Sequence, residues 1–69
     1  MNFKLFDFVR LKHDIPLRNL RRGMTGTIIE VFDKPNRAYE VEFSDANGVT
    51  IAQLALQPDE IDLARPHSP

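Results

Sequence analysis

The sequence predicts an all-β fold: a small barrel of about five short antiparallel strands with one irregular loop and a 3₁₀ turn. Three observations carry that prediction. First, β-branched and aromatic residues concentrate in short runs, most densely in Gly23-Met24-Thr25-Gly26-Thr27-Ile28-Ile29-Glu30-Val31-Phe32, a composition that suits a pleated, packed surface. Second, turn formers separate those runs, as in Asp33-Lys34-Pro35-Asn36-Arg37 and Asp45-Ala46-Asn47-Gly48. Third, residues 38–43 alternate with period two, Tyr39, Val41 and Phe43 against Glu40 and Glu42, the pattern of a strand with one buried face.

Taken in order, Phe3 to Leu11 reads as the first strand. Leu5, Asp7, Val9 and Leu11 share one face, and Phe6, Phe8 and Arg10 share the other. Apolar residues on both faces predict a strongly bent strand that serves two packing surfaces of a barrel. Lys12 to Arg22 is the longest non-strand segment. Pro16 disfavours helix at Ile15 and can itself start a single helical turn. The segment is expected to be a compact loop pinned by Ile15, Leu17 and Leu20, with Met24 packed nearby. Gly23 and Gly26 together read as a tight turn feeding the second strand, Thr25 to Phe32.

Ala38 to Phe43 is the third strand and Thr50 to Leu56 the fourth, with Ala52, Leu54 and Leu56 on one face and Ile51, Gln53 and Ala55 on the other. Asn47-Gly48 between them is the strongest short hairpin signal a sequence offers. Gln57-Pro58-Asp59-Glu60 predicts a one-turn 3₁₀ connector, and Ile61-Asp62-Leu63 a short last strand. Residues 1–64 are expected to form a single domain, and Arg65-Pro66-His67-Ser68-Pro69 a C-terminal tail. The predicted core is Val9, Leu11, Ile28, Val31, Val41, Phe43, Leu54 and Ile61. Short strands, one irregular loop and a helical turn point to an SH3-like small barrel. A five-stranded oligonucleotide-binding barrel fits less well, because these strands are short and its usual helix is missing.

Composition bounds the rest. Sixty-nine residues allow one domain, and a chain of that size buries only about 60% of its unfolded surface. A hydrophobic content of 42% is too high for a disordered chain. With no Cys, neither a disulfide nor a thiolate metal site supports the fold, which fits a reducing cytoplasm. No stretch approaches the roughly 18 apolar residues of a membrane helix. The net charge of −1 argues against strong nonspecific binding to nucleic acid. That charge is divided unevenly: residues 1–37 hold eight Lys/Arg and four Asp/Glu, whereas residues 38–69 hold one and six. The two halves are expected to form solvated faces that attract each other.

Three segments carry a resemblance to a known family: Phe6-Asp7-Phe8-Val9-Arg10-Leu11; Asp14-Ile15-Pro16 with Leu20-Arg21-Arg22-Gly23-Met24-Thr25-Gly26-Thr27-Ile28-Ile29-Glu30-Val31; and Tyr39-Glu40-Val41-Glu42-Phe43-Ser44-Asp45 with Gly48, Thr50 and Leu54. Together they resemble the small bacterial family called domain of unknown function 4926, over roughly residues 5–63. The resemblance implies a small SH3-like β-barrel and brings no catalytic residues. The stretch from Gly23 to Ile28, followed by Val31 and Phe32, also resembles the KOW motif of ribosomal and transcription-elongation proteins.

The chemistry-bearing residues point away from catalysis. Gly23-x-x-Gly26 lacks the Gly-Lys-Ser/Thr ending of a phosphate loop and leads into a strand. His13 and His67 have no ligand spacing with other acids, and His13 beside Asp14 reads as a loop pair. Ser44 and Ser68 sit in a hairpin and a tail, with no nucleophile elbow. Leu5-Phe6-Asp7-Phe8 is similar to a segment of proline-peptide-binding SH3 domains, but the chain has no Trp and a single Tyr for an aromatic groove. Phe6 and Phe8 are therefore read as core or edge packing.

One cluster remains. Arg10, Lys12, Arg18, Arg21 and Arg22 stand against Asp14 alone between residues 10 and 22. The sequence thus predicts a non-enzymatic, cytoplasmic bacterial module, without cofactor or metal, that binds another protein through this basic loop. An accessory or antitoxin-like partner of a second small protein is one version. The alternative is a KOW-like module that binds RNA or DNA through the same loop, although the stretch lacks the interleaved aromatics usual in such surfaces.

Overall fold

The run from Thr25 to Phe32 is the middle strand of a single antiparallel sheet in the computed structural model, which describes residues 3–64. The strands are β1 (Phe8–Leu11), β2 (Thr25–Phe32), β3 (Ala38–Ser44), β4 (Thr50–Leu56) and β5 (Ile61–Leu63). Two 3₁₀ turns, Pro16–Arg18 and Pro58–Glu60, complete the elements, and none of the described residues is α-helical. The tail expected at 65–69, with His67 and Ser68, lies outside the described residues.

The strands lie in the order β4-β3-β2-β1-β5. β2, β3 and β4 form a meander, and β5 returns to pair with β1, Val9 opposite Leu63 and Leu11 opposite Ile61. The fold is all-β, as the sequence predicts, but the sheet is not closed into a barrel. Among the described residues β4 and β5 remain its two free edges. The irregular loop takes up part of the role that strand pairing would have played. Ile15 packs against the core and Leu20 is buried within it, while the Arg18 guanidinium donates to the Gln53 carbonyl on β4 at 3.2 Å.

The core follows the period-two pattern. Val9, Leu11, Ile28, Val41, Phe43 and Ile61 are buried, and Val31 and Leu54 are half-buried against them. Phe3, Leu20, Tyr39, Ala52 and Leu56 complete the buried cluster. Tyr39 is fully buried without an orphaned hydroxyl: its Oη accepts the Phe3 N–H at 3.2 Å, and the two rings meet edge to face at 5.3 Å. A buried phenol with its hydrogen bond made avoids the desolvation cost that an unpaired one would carry.

Three expectations are corrected. The first strand does not span Phe3 to Leu11. Lys4 to Asp7 form a turn, with the Asp7 N–H on the Lys4 carbonyl and the Asp7 carboxylate accepting the Lys4 N–H at 2.8 Å. Phe6 takes φ +72° in that turn, so its side chain leaves the alternation, and Phe6 and Phe8 are both exposed rather than packed. Leu17 does not pin the loop; it points into solvent. Gly26 is not part of a turn. It lies within β2, while Gly23, at φ +91°, supplies the turn.

The hairpin between β3 and β4 matches its signal. The Asp45 carboxylate accepts the N–H groups of Asn47 and Val49, and Gly48 sits at φ +81°. A Cβ at Gly48 would meet nothing within 4 Å. With room for the Cβ, the cost of Gly48→Val comes chiefly from backbone strain at positive φ, about 1–3 kcal/mol. A drop of that size in urea-melt stability is expected; an unchanged midpoint would show that the turn tolerates a β-branched residue.

Candidate functional site

The basic loop between β1 and β2 is held by backbone bonds at several points. Ile15 and Leu20 exchange both main-chain hydrogen bonds, 2.8 and 3.1 Å, and close a small ring around the first 3₁₀ turn. Asn19 ends that turn in the left-handed region at φ 57°, its N–H on the Pro16 carbonyl. Asn suits this position because its short polar side chain tolerates such a backbone. The Asp14 carboxylate accepts the Arg22 N–H at 2.8 Å. Gly23 N–H reaches the Leu11 carbonyl and Lys12 N–H the Glu60 carbonyl. The loop is thus an ordered platform rather than a loose connector.

The five candidate cations do not form one cluster on it. Arg10, Lys12 and Arg22 line a single shallow hollow with Leu11, Gly23 and Asp62. Arg10 stands opposite Thr25 on one side and Asp62 on the other. Arg21 borders a second hollow with Asp14, Pro16, Asn19 and Leu20. Arg18 is turned away, to the Gln53 carbonyl. All five side chains are exposed. Among the described residues the ion pairs are His13–Glu60 and Arg37–Asp33, so none of the five is neutralised by a carboxylate. Among the described residues one ion pair joins the two halves, that of His13 with Glu60, and it carries charge on both sides only when His13 is protonated.

Leu17 is the residue that sequence reasoning misplaced most. It is 97% exposed at the tip of the pinned turn, beside Arg18 and close in sequence to Arg21 and Arg22. No period-two argument reaches it, because residues 12–24 follow no strand register. A second exposed apolar group, Leu5, Phe6 and Phe8, surrounds the Lys4–Asp7 turn.

His13 joins the loop to the second 3₁₀ turn. Its Nδ1 lies 2.8 Å from the Asp14 carbonyl and its Nε2 3.2 Å from Glu60 Oε2. The other Glu60 oxygen accepts the Gln57 N–H that starts the turn. Two acceptors facing two ring nitrogens favour the doubly protonated imidazolium. The pKa is accordingly raised, chiefly by the bond to the Asp14 carbonyl and then by that to Glu60. A raised native pKa stabilises the fold fully below the unfolded value, and that contribution is lost as pH climbs through the native one. As pH rises above the unfolded value of about 6.5, the wild-type urea midpoint should fall relative to that of His13→Gln. Parallel pH profiles for the two proteins would count against the contact.

Among the described residues no three His, Cys, Asp or Glu side chains are grouped so as to hold a metal ion. No helix among them is long and apolar enough to cross a membrane. The family described as Domain of unknown function (DUF4926) matches residues 5–63. The chain belongs to that family. No curated protein and no solved structure matches it. The DUF4926 span takes in all five strands, the basic loop with its five cations, His13 and Glu60. Phe3, which closes over Tyr39, lies just before it.

Proposed function

We propose that this DUF4926 domain is a non-enzymatic module that binds another protein through the tip of its basic loop. The observation that supports the reading is Leu17, an almost wholly exposed leucine carried on a turn fixed by the Ile15–Leu20 bonds. An apolar side chain on a rigid, solvent-facing support costs little to order on binding and fills a pocket on a partner. Arg21 and Arg22 follow it in the same loop, and among the described residues neither makes an ion pair. The matching partner surface is an acidic rim around an apolar recess. A cytoplasmic bacterial setting and an accessory or antitoxin-like pairing with a second small protein accord with the Cys-free composition and small size.

The KOW-like reading draws its support from Arg10, Lys12 and Arg22 around one hollow. It is the weaker of the two, because β2 and β3 carry Glu30, Glu40 and Glu42 and the loop holds no aromatic on which a base stacks. The two readings separate in affinity capture from host lysate, with and without nuclease, using wild type, Leu17→Asp and Arg21→Glu/Arg22→Glu. Surface changes of this kind cost within about 0.5 kcal/mol each, so folding is retained. A retained protein that survives nuclease and is lost with either variant is expected. Submicromolar RNA or DNA binding by wild type, with a log–log salt slope of about −0.7 to −0.9 per phosphate, would reverse the ranking.

A further inference from the structure

β4 is an edge of the sheet, and among the described residues no strand lies beyond it. Native proteins protect such edges with charged side chains, Pro or bulges. This edge has few of those devices. From Val49 to Gln57 the chain contains no charged residue, no Pro and no Gly. The register shifts once, opposite Ser44 near the start of the strand, and Ala52 to Leu56 then run regularly against β3. Gln53 and Ala55 are exposed. In an antiparallel ladder the two main-chain groups of a residue point to the same side, and the side alternates along the strand. Because the Gln53 carbonyl accepts from the Arg18 guanidinium, Gln53, and Ala55 two residues on, present their main-chain groups outward. Arg18 therefore occupies a mid-strand acceptor that an incoming strand would need.

We propose that β4 is a docking edge for the β4 strand of a second copy of this chain, held shut by Arg18. Self-pairing is favoured by charge. An antiparallel β4–β4 pair is isologous, and with no charge between Val49 and Gln57 it meets no like-charge opposition in any register. The other edge differs, since pairing β5 with itself would bring Asp62 towards its own copy. Arg18 follows Leu17 in the same turn, so this edge adjoins the loop tip. The two proposals are told apart by their readouts: capture of another protein is lost with Leu17→Asp, and self-association is raised by Arg18→Ala.

The test is the association state of the full chain by sedimentation equilibrium, read together with amide hydrogen exchange. Arg18→Ala is expected to associate into dimers about thirtyfold more tightly than wild type, the equivalent of two competing hydrogen bonds, one on each copy. The Gln53 and Ala55 amides should become protected on association. Adding Gln53→Lys to Arg18→Ala should restore the monomer by setting two ammonium groups near each other across the symmetric pair. Wild type at about thirty times the concentration should show the same protection pattern, which keeps the test informative should Arg18→Ala fold poorly. Equal association of wild type and Arg18→Ala, or dimers in which those two amides stay unprotected, would overturn the proposal.

Discussion

Gly26→Val is expected to leave most of the chain unfolded at room temperature. An added Cβ at Gly26 would lie 2.6 Å from Val41 Cγ1, 2.9 Å from the Glu42 carbonyl oxygen and 3.0 Å from Phe43 Cδ1. Two of these neighbours are fully buried side chains of the adjacent strand, and the third is main chain that cannot swing aside. Gly26 pairs with Phe43 on one side and Val9 on the other, so β2 has no free direction in which to retreat. Overpacking a core by a single methyl commonly costs about 1–3 kcal/mol, and valine adds two more carbons at the same point. Small domains hold only about 5–15 kcal/mol in total. Gly26→Ala should fold with a lowered urea midpoint, and Gly26→Val should show a far-UV spectrum without strand signal. The cause is steric, so Gly26→Ala combined with Val41→Ala should cost less than the sum of the two single changes. Strict additivity would place the strain elsewhere.

Gly26 also shows where sequence reading stops. Two glycines three apart give the same local signal, yet they serve different ends. Gly23 needs a positive φ, and Gly26 needs the absence of a side chain facing Val41 and Phe43. The second reason depends on a strand fifteen residues or more away in sequence, which no local pattern encodes. β2 to β5 and the Asn47-Gly48 hairpin were legible because alternation and turn chemistry are local properties. The start of β1 was not. Phe6 occupies a backbone position that favours glycine, so a run of apolar residues that reads as strand is in fact a turn with its aromatic side chains in solvent.

The candidate site divides in the same way. A basic loop was legible from composition, and its cations are exposed. Which of them act together was not, because Arg18 answers to Gln53 across 35 positions and His13 to Glu60 across 47. Barrel closure likewise depends on whether the first and last elements of a meander meet. Five strands of three to eight residues leave that to the loop that fills the gap.

Ile28→Ala is expected to cost about 2–5 kcal/mol, the range for removing most of a buried aliphatic side chain from a core that cannot fully collapse around the void. Ile28 has no exposure and lies on the middle strand opposite Val41, at the point where the register with β3 shifts before Glu30. Its main chain is tied as firmly: Ile28 N–H donates to the Asp7 carbonyl, and the Ile28 carbonyl accepts the Phe6 N–H at 2.7 Å. Those two bonds anchor the Lys4–Asp7 turn to the sheet. Loss of packing at Ile28 should therefore loosen residues 4–7 as well as the core. The same truncation at Ile29, the extra residue at the shift and only half-buried, should cost clearly less, since less apolar area is removed from contact. Urea denaturation of the two variants provides the comparison, and hydrogen exchange at Phe6 and Asp7 provides the local readout. Equal midpoints for Ile28→Ala and Ile29→Ala would put the wrong isoleucine in the core and shift the register of the whole middle strand.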